Sequence, residues 1–149
     1  DYIGRKDGAG PAVAPALHVF LQGDAGDEAL ADGDAAFAGD LLQLAYEAGG
    51  RSHGVILSID GAGAVTLHFP EREAGATALR RGGRVFLPRA YELDRAPLFE
   101  RFFLVSADAP LPVAEVLDAA RSLAAGGKAM TAPLDLPAAW GQLSLLLRK

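Results

Sequence analysis

Histidines are the first residues in this 149-residue chain that could bind a metal or act as a base. His18, His53 and His68 lie in separate segments, and no two of them have the His-x-x-x-His spacing of a zinc site. If the segments around His18 and His68 paired as strands, their imidazoles could meet. This leaves a small metal-dependent hydrolase, using His18, His68 and nearby carboxylates, as the alternative function. Strand alternation instead places both rings on the outer face of a sheet, as solvated or hydrogen-bonded histidines, so we expect no metal site.

A serine and an aspartate stand close together in the stretch Leu-Ser-Ile-Asp-Gly, at Ser58 and Asp60. A serine nucleophile typically occupies a strand-to-helix elbow, Gly-x-Ser-x-Gly, with a histidine and an acid nearby. Here the pattern predicts a strand that leads into a hairpin. We therefore interpret Ser58 as an outward-facing strand residue and Asp60 as a turn former. We expect no catalytic residues and a non-enzymatic protein.

An acidic cluster lies in residues 23–40, which contain five aspartates and one glutamate. The Ca²⁺-loop pattern Asp-x-[Asp/Asn]-x-[Asp/Asn]-Gly is not satisfied there. The cluster is more typical of a solvated loop than of a calcium site. We accordingly expect no cofactor.

Charged and aromatic residues interleave in residues 91–103. Paired carboxylates in this segment could act as a general acid and base, but we favour a partly buried network of ion pairs. A buried guanidinium needs a partner, and for Arg101 we expect Glu92 or Asp94. The candidate binding residues of the chain are Tyr91, Glu92, Asp94, Glu100 and Arg101.

Period-2 alternation, β-branched residues and turn signals predict the elements that position these side chains. The clearest is a hairpin within Gly54–Pro70, in which Val55, Leu57 and Ile59 share one face with Val65, Leu67 and Phe69. Its turn contains Asp60-Gly61 and Gly63, residues that tolerate positive φ. The other predicted strands cover residues 15–22, 41–46, 84–87, 99–106 and 142–147, with shorter extended pieces at 27–30 and 90–94.

Apolar residues change to a helical period in residues 112–125, where Pro112 suits the first turn and Gly126-Gly127 ends the helix. One further helical turn is expected within residues 73–80. About seven short strands with one late helix do not form a βαβ alternation. The predicted class is therefore mostly β (α+β): an antiparallel β-sandwich or partly open barrel of about seven strands with one C-terminal amphipathic helix. We expect a flexible arm or linker over residues 1–14 and a single domain over residues 15–149.

The bulk composition restricts the partners. A net charge of −5 and an isoelectric point near 5.1 argue against nucleic acid as a partner. The basic pairs Arg80-Arg81 and Arg148-Lys149 are expected to be solvated. The chain has no cysteine, and no apolar run reaches the roughly 20 residues of a membrane span, so we expect no direct membrane insertion by this segment. Because the sequence begins at Asp1 and its single methionine is Met130, we expect it to be a piece of a longer protein.

Five stretches of the chain carry a resemblance to a known family: Ala38–Leu44, Gly54–Gly61, Val65–Pro70, Leu87–Asp94 and Phe99–Ser106. Through them, residues 41–107 resemble a bacterial domain-of-unknown-function family that forms C-terminal modules of envelope-associated regulatory proteins. Such modules follow zinc-ribbon or anti-sigma-like regions with a membrane helix, protein kinase domains or caspase-like peptidase domains. The resemblance implies an accessory binding, sensing or scaffold module that contacts a protein partner, and it favours the periplasmic side of a membrane anchor, with a cytoplasmic location as the alternative. Apart from the resemblance, a homo-oligomer that pairs through an exposed edge strand or through the C-terminal strand 142–147 stays an open alternative.

Overall fold

A computed structural model describes residues 13–149, which form nine strands and one helix. Residues 1–12, most of the expected arm, lie outside the described part. The strands are β1 (Ala16–Gly23), β2 (Gly26–Leu30), β3 (Leu41–Glu47), β4 (His53–Asp60), β5 (Val65–Phe69), β6 (Arg84–Phe86), β7 (Tyr91–Glu92), β8 (Phe99–Ala107) and β9 (Gly141–Arg148), and the helix α1 is Val113–Ala125.

The strands form two antiparallel sheets that face each other. Sheet I has the order β2-β1-β3-β6, and β7 pairs with β3 beyond the end of β6. Sheet II has the order β5-β4-β8-β9. The mostly β class and the sandwich are therefore confirmed, with nine strands where about seven are predicted. The extra strands are the two short extended pieces at 27–30 and 90–94.

Two apolar cores lie on opposite faces of Sheet II. One fills the space between the sheets and includes Leu44, Tyr46 and Phe102. The other lies between Sheet II and α1 with the following loop, and includes Leu57 and Val116. Burial of apolar area on both faces explains why all nine residues of β8 are buried. β8 has a central position in Sheet II, since it lies between β4 and β9.

A β-bulge in β5 changes the faces that alternation predicts. Leu57 pairs with Leu67 and Ile56 pairs with Phe69, so His68 is the extra residue opposite β4. Val65 and Leu67 contact the core under α1, whereas Phe69 contacts the core between the sheets. The prediction that Phe69 shares a face with Leu67 is therefore wrong, because the bulge shifts the alternation by one residue.

The helix and the connections follow the sequence with one exception. Pro112 is the N-cap of α1, directly before the first turn in which it was predicted, and Gly126 is the C-cap, where the sequence predicted the end of the helix. Residues 73–80 contain turns and a bridge between Ala78 and His53 instead of the expected helical turn. Within residues 13–149 no helix has both the length and the apolar character needed to cross a membrane.

Candidate functional site

Polar side chains lie between the two sheets near the hairpin turn of β4 and β5. Ser58, Asp60 and Glu100 are almost fully buried, with at most 4% of their surface exposed. Asp60 is directly opposite Glu100 in the pairing of β4 with β8, so both side chains project from the same face of Sheet II. The prediction that Ser58 faces solvent is wrong, because Sheet I covers the face of Sheet II from which it projects.

A serine–histidine contact lies in this layer. Ser58 Oγ is 2.8 Å from His68 Nε2, and the His68 ring contacts Tyr91 edge-on with 4.5 Å between centroids. The prediction that His68 lies on the outer face of the sheet is therefore wrong, whereas the expectation of a solvated or hydrogen-bonded ring is met by the contact with Ser58. Burial lowers the pKa of His68 to about 4, so its ring is neutral at pH 7. A nucleophile must reach its substrate, and Ser58 has no exposed surface, so this pair is built as an internal contact.

Three carboxyl groups lie close together, and two of them contact one ammonium group. Single oxygens of Asp60, Asp94 and Glu100 lie within 4.8 Å of one another. Lys149 Nζ is 3.0 Å from Asp94 Oδ1 and 3.1 Å from Glu100 Oε1, so a cation of the protein itself offsets one of the negative charges of this cluster. Asp60 Oδ1 also accepts the backbone N–H groups of Ala62 and Ala64, which is the turn-forming role predicted for it.

The pKa shifts in this cluster follow from burial and from Lys149. Burial raises the pKa of Glu100, against the opposing effects of Ser58 and Lys149. Burial would lower the pKa of Lys149, but its contacts with Asp94 and Glu100 outweigh that effect and raise it. The pKa of Tyr91 is raised by burial and by the nearby Glu100 charge. Tyr91 Oη donates to Glu100 Oε2 at 3.1 Å, so the phenol stays protonated at neutral pH.

The candidate binding residues divide into three groups. Tyr91, Asp94 and Glu100 are brought together in this network. Glu92 is an exposed residue of β7 and lies outside it. Arg101 projects from the opposite face of Sheet II and donates to the carbonyls of Ala129 and Ala132.

The prediction that Arg101 pairs with the carboxylate of Glu92 or Asp94 is wrong. Its guanidinium also bonds Ser144 Oγ and lies 4.4 Å from the centre of the Phe103 ring. Backbone carbonyls and an aromatic face replace an acid, because Glu92 and Asp94 lie on the other side of Sheet II from this residue.

Three residues of the network were assigned to the surface by sequence reasoning: Ser58, His68 and Lys149. The Lys149 side chain is 6% exposed, whereas the neighbouring Arg148 is exposed as predicted. A lysine next to an arginine after a strand gives no local signal of burial. The signal for a buried lysine lies in the carboxylates of other segments of the sequence, which need a cation as partner once they are buried.

The histidines do not converge. β1 pairs with β2 and β3, whereas β5 pairs with β4, so His18 and His68 belong to different sheets. His18 contacts Glu47 at 2.6 Å, and His53 contacts Thr77 Oγ1 at 3.0 Å. The strand pairing on which the metal-dependent alternative rests is therefore wrong.

Two surface cavities border the buried network. The first, here called the β5 groove, has a volume of about 410 Å³ and lies between β5 and the segment 87–91. Its walls include Thr66, His68 and Tyr91, with Arg72 and Arg89 beside them. The second, of about 420 Å³, is lined by exposed Phe37 and Leu98 and by Asp94 and Lys149. His68 and Tyr91 therefore connect the network to the first cavity, and Lys149 and Asp94 connect it to the second.

Comparison with family models, with curated proteins and with solved structures found no match for this chain. The resemblance of residues 41–107 therefore stays a prediction, and the function must be argued from the geometry.

Proposed function

We propose that this domain is a non-enzymatic interaction module that binds a segment of a protein partner in the β5 groove. The observation that carries the proposal is the groove itself, which opens between an edge of Sheet II and an edge of Sheet I. A volume of about 410 Å³ is within the range of pockets that bind ligands, roughly 300–1,000 Å³. The implied role as an accessory part of a regulatory protein is consistent with such a groove.

The chemistry of the groove walls supports binding of a protein segment. Tyr91 and His68 present aromatic rings, and Arg72 and Arg89 present guanidinium groups. Aromatic residues and arginine are enriched at protein interfaces because they combine apolar area with directional hydrogen bonds. The internal partners of His68 and Tyr91 hold both rings in place, which reduces the entropy lost on binding.

A peptide-display selection on the purified domain tests this function. We expect enrichment of peptides whose affinity falls at least about tenfold for the Ala90→Trp variant, because an indole would occupy the groove. Ala38→Trp is the matched control, since Ala38 is an equally exposed alanine that lines the second cavity. Failure to enrich any peptide would contradict the proposal, as would enriched peptides that bind wild type and Ala90→Trp equally.

A further inference from the structure

The edges of the two sheets differ in how they are protected from pairing. An unpaired strand edge exposes backbone donors and acceptors, and natural proteins block it with charges, covering segments or short strands. β2 carries exposed Asp27 and Glu28. β9 is covered by residues 33–36, where Gly33 N donates to the Leu146 carbonyl and Arg148 N donates to the Asp34 carbonyl. β6 and β7, which form the other edge of Sheet I, span only three and two residues. Three edges are thus protected, because one is charged, one is covered and one is short.

β5 has none of these protections. Its five residues, Val65–Phe69, include no charged side chain, and within residues 13–149 no strand pairs with its outer side. α1 packs on the face of Sheet II, through Val65 and Leu67, and therefore leaves the edge open. This edge is also a wall of the β5 groove.

The hairpin geometry shows which backbone groups point into the groove. Asp60 N donates to the Ala64 carbonyl, so residues 60 and 64 form a hydrogen-bonded pair. Hydrogen-bonded and non-bonded pairs alternate along an antiparallel ladder. The pairs of Ile59 with Val65 and of Leu57 with Leu67 are therefore non-bonded. The N–H and C=O groups of Val65 and Leu67 accordingly point away from β4, toward the open edge.

The segment that follows β5 carries a charge opposite to that of the whole chain. Residues 70–90 contain five arginines and two glutamates, a net charge of +3 in a chain with a net charge of −5. Of these residues, Glu71, Arg72 and Arg89 line the β5 groove, so the lining is also net positive, and the Arg89 side chain is 85% exposed with only a loose contact to Glu71 at 4.0 Å. An acidic ligand would be attracted to this segment and repelled by most of the remaining surface.

From these observations we infer that the β5 groove binds an extended acidic segment of a partner protein, which adds as a strand to the open edge of β5. The inference rests on the proposed function and specifies the partner's backbone conformation and charge. Five residues of β5 span about 17 Å, which matches a partner segment of about five or six residues. Backbone hydrogen bonds to Val65 and Leu67 supply the pairing, and Arg72 and Arg89 supply the charge preference.

Synthetic peptides test the charge preference on the wild-type domain. The probes are a capped, fluorescein-labelled peptide of three Glu-Val repeats and its Lys-Val counterpart, measured by fluorescence anisotropy. We expect the acidic peptide to bind about tenfold more tightly at low ionic strength, with the difference shrinking as salt is added. The double variant Arg72→Glu and Arg89→Glu should lose that preference. The double variant Arg121→Glu and Lys128→Glu, which has the same net charge but lies on and after α1, should keep it.

Two measurements test strand addition. Amide hydrogen exchange at Val65 and Leu67 should slow when the acidic peptide is bound, a readout that needs no variant. Leu67→Pro removes an outward N–H and should abolish binding, whereas Leu67→Ala retains the N–H and should bind the acidic peptide more tightly than Leu67→Pro does.

The outcomes separate the inference from the proposed function. If displayed peptides bind in the groove but neutral or basic peptides bind as well as acidic ones, the inference is overturned and the proposed function stands. Unchanged exchange at Val65 and Leu67 with bound peptide also overturns it. If no peptide of any charge binds the groove, the proposed function fails as well.

Discussion

Replacing Lys149 by methionine should destabilise the domain by about 3 kcal/mol at neutral pH. The change retains most of the apolar stem and removes the ammonium that lies 3.1 Å from Glu100 Oε1. Removing one partner of a buried ion pair typically costs about 3–5 kcal/mol, because the other charge is left uncompensated. We take the lower end because the second partner, Asp94, is 52% exposed and is solvated by water.

The stability loss caused by Lys149→Met should depend on pH in a direction set by the pKa of Glu100. Burial already raises the pKa of Glu100 above its unfolded value, and loss of Lys149 raises it further. A carboxyl group with a raised folded-state pKa releases its proton more readily in the unfolded state, so stability falls as pH rises above the unfolded pKa of about 4.5. The loss caused by Lys149→Met should therefore be larger at pH 8 than at pH 5, because a larger share of Glu100 is protonated at the lower pH and a protonated carboxyl group needs no cation.

Urea unfolding followed by the fluorescence of Trp140 and by circular dichroism measures this effect, provided that the two signals coincide. Arg148→Met is the matched control, since this neighbouring side chain is exposed and should change stability by less than about 0.5 kcal/mol. The double variant Lys149→Met with Glu100→Gln should recover much of the loss. A loss that is equal at both pH values, or one that Glu100→Gln does not relieve, would refute the reasoning.

Three further predictions follow from other contacts. Because burial lowers the pKa of His68 to about 4, stability should fall as pH drops from 6.5 to 4, and His68→Gln should flatten that slope in urea titrations. Gly61→Ala should cost about 3 kcal/mol by thermal or urea unfolding, since the new Cβ would lie 1.6 Å from the Pro97 carbonyl oxygen. Arg101→Met should cost about 2 kcal/mol and speed amide exchange in residues 128–132, because its guanidinium donates to two carbonyls there.

Each of these predictions has a control or a contrary result. A His68 ring that protonates near pH 6.5 in NMR titration would contradict the first. Gly50→Ala is the control for Gly61→Ala, since its nearest contact would be 3.8 Å, and equal losses for the two variants would contradict the steric argument. Unchanged exchange in residues 128–132 would show that Arg101 does not hold that loop.

Local patterns predicted most elements because they depend on interactions within a few residues. The alternation in residues 54–70 predicted the hairpin, and the i, i+3, i+4 spacing with Pro112 predicted α1, which the structure confirms. Residues 73–80 were not predicted correctly, because their backbone bonds across to β4, as in the bond from Gly54 N to the Thr77 carbonyl. Such long-range bonds leave no local period in the sequence.

The candidate site was only partly predictable for a similar reason. Tyr91, Asp94 and Glu100 were identified from their place beside a strong strand, and the structure places them in one network. Ser58 and His68 were assigned to the solvent because alternation distinguishes the two faces of a strand without revealing what covers each face. The bulge at His68 adds a shift of one residue that no composition rule indicated.

The sequence by itself determined the mostly β class, the hairpin, the helix and its caps, because backbone propensities and apolar periods are local properties. Only the tertiary structure decided that Sheet II is covered on both faces. This cover buries Glu100 and other polar residues of the sheet, and Lys149 supplies the cation that pairs with Glu100. It also decided which strand edge stays open, because that depends on the order of strands in the sheets. Strand order is fixed by contacts between residues that are distant in the sequence. Those contacts bury apolar surface and provide buried polar groups with partners.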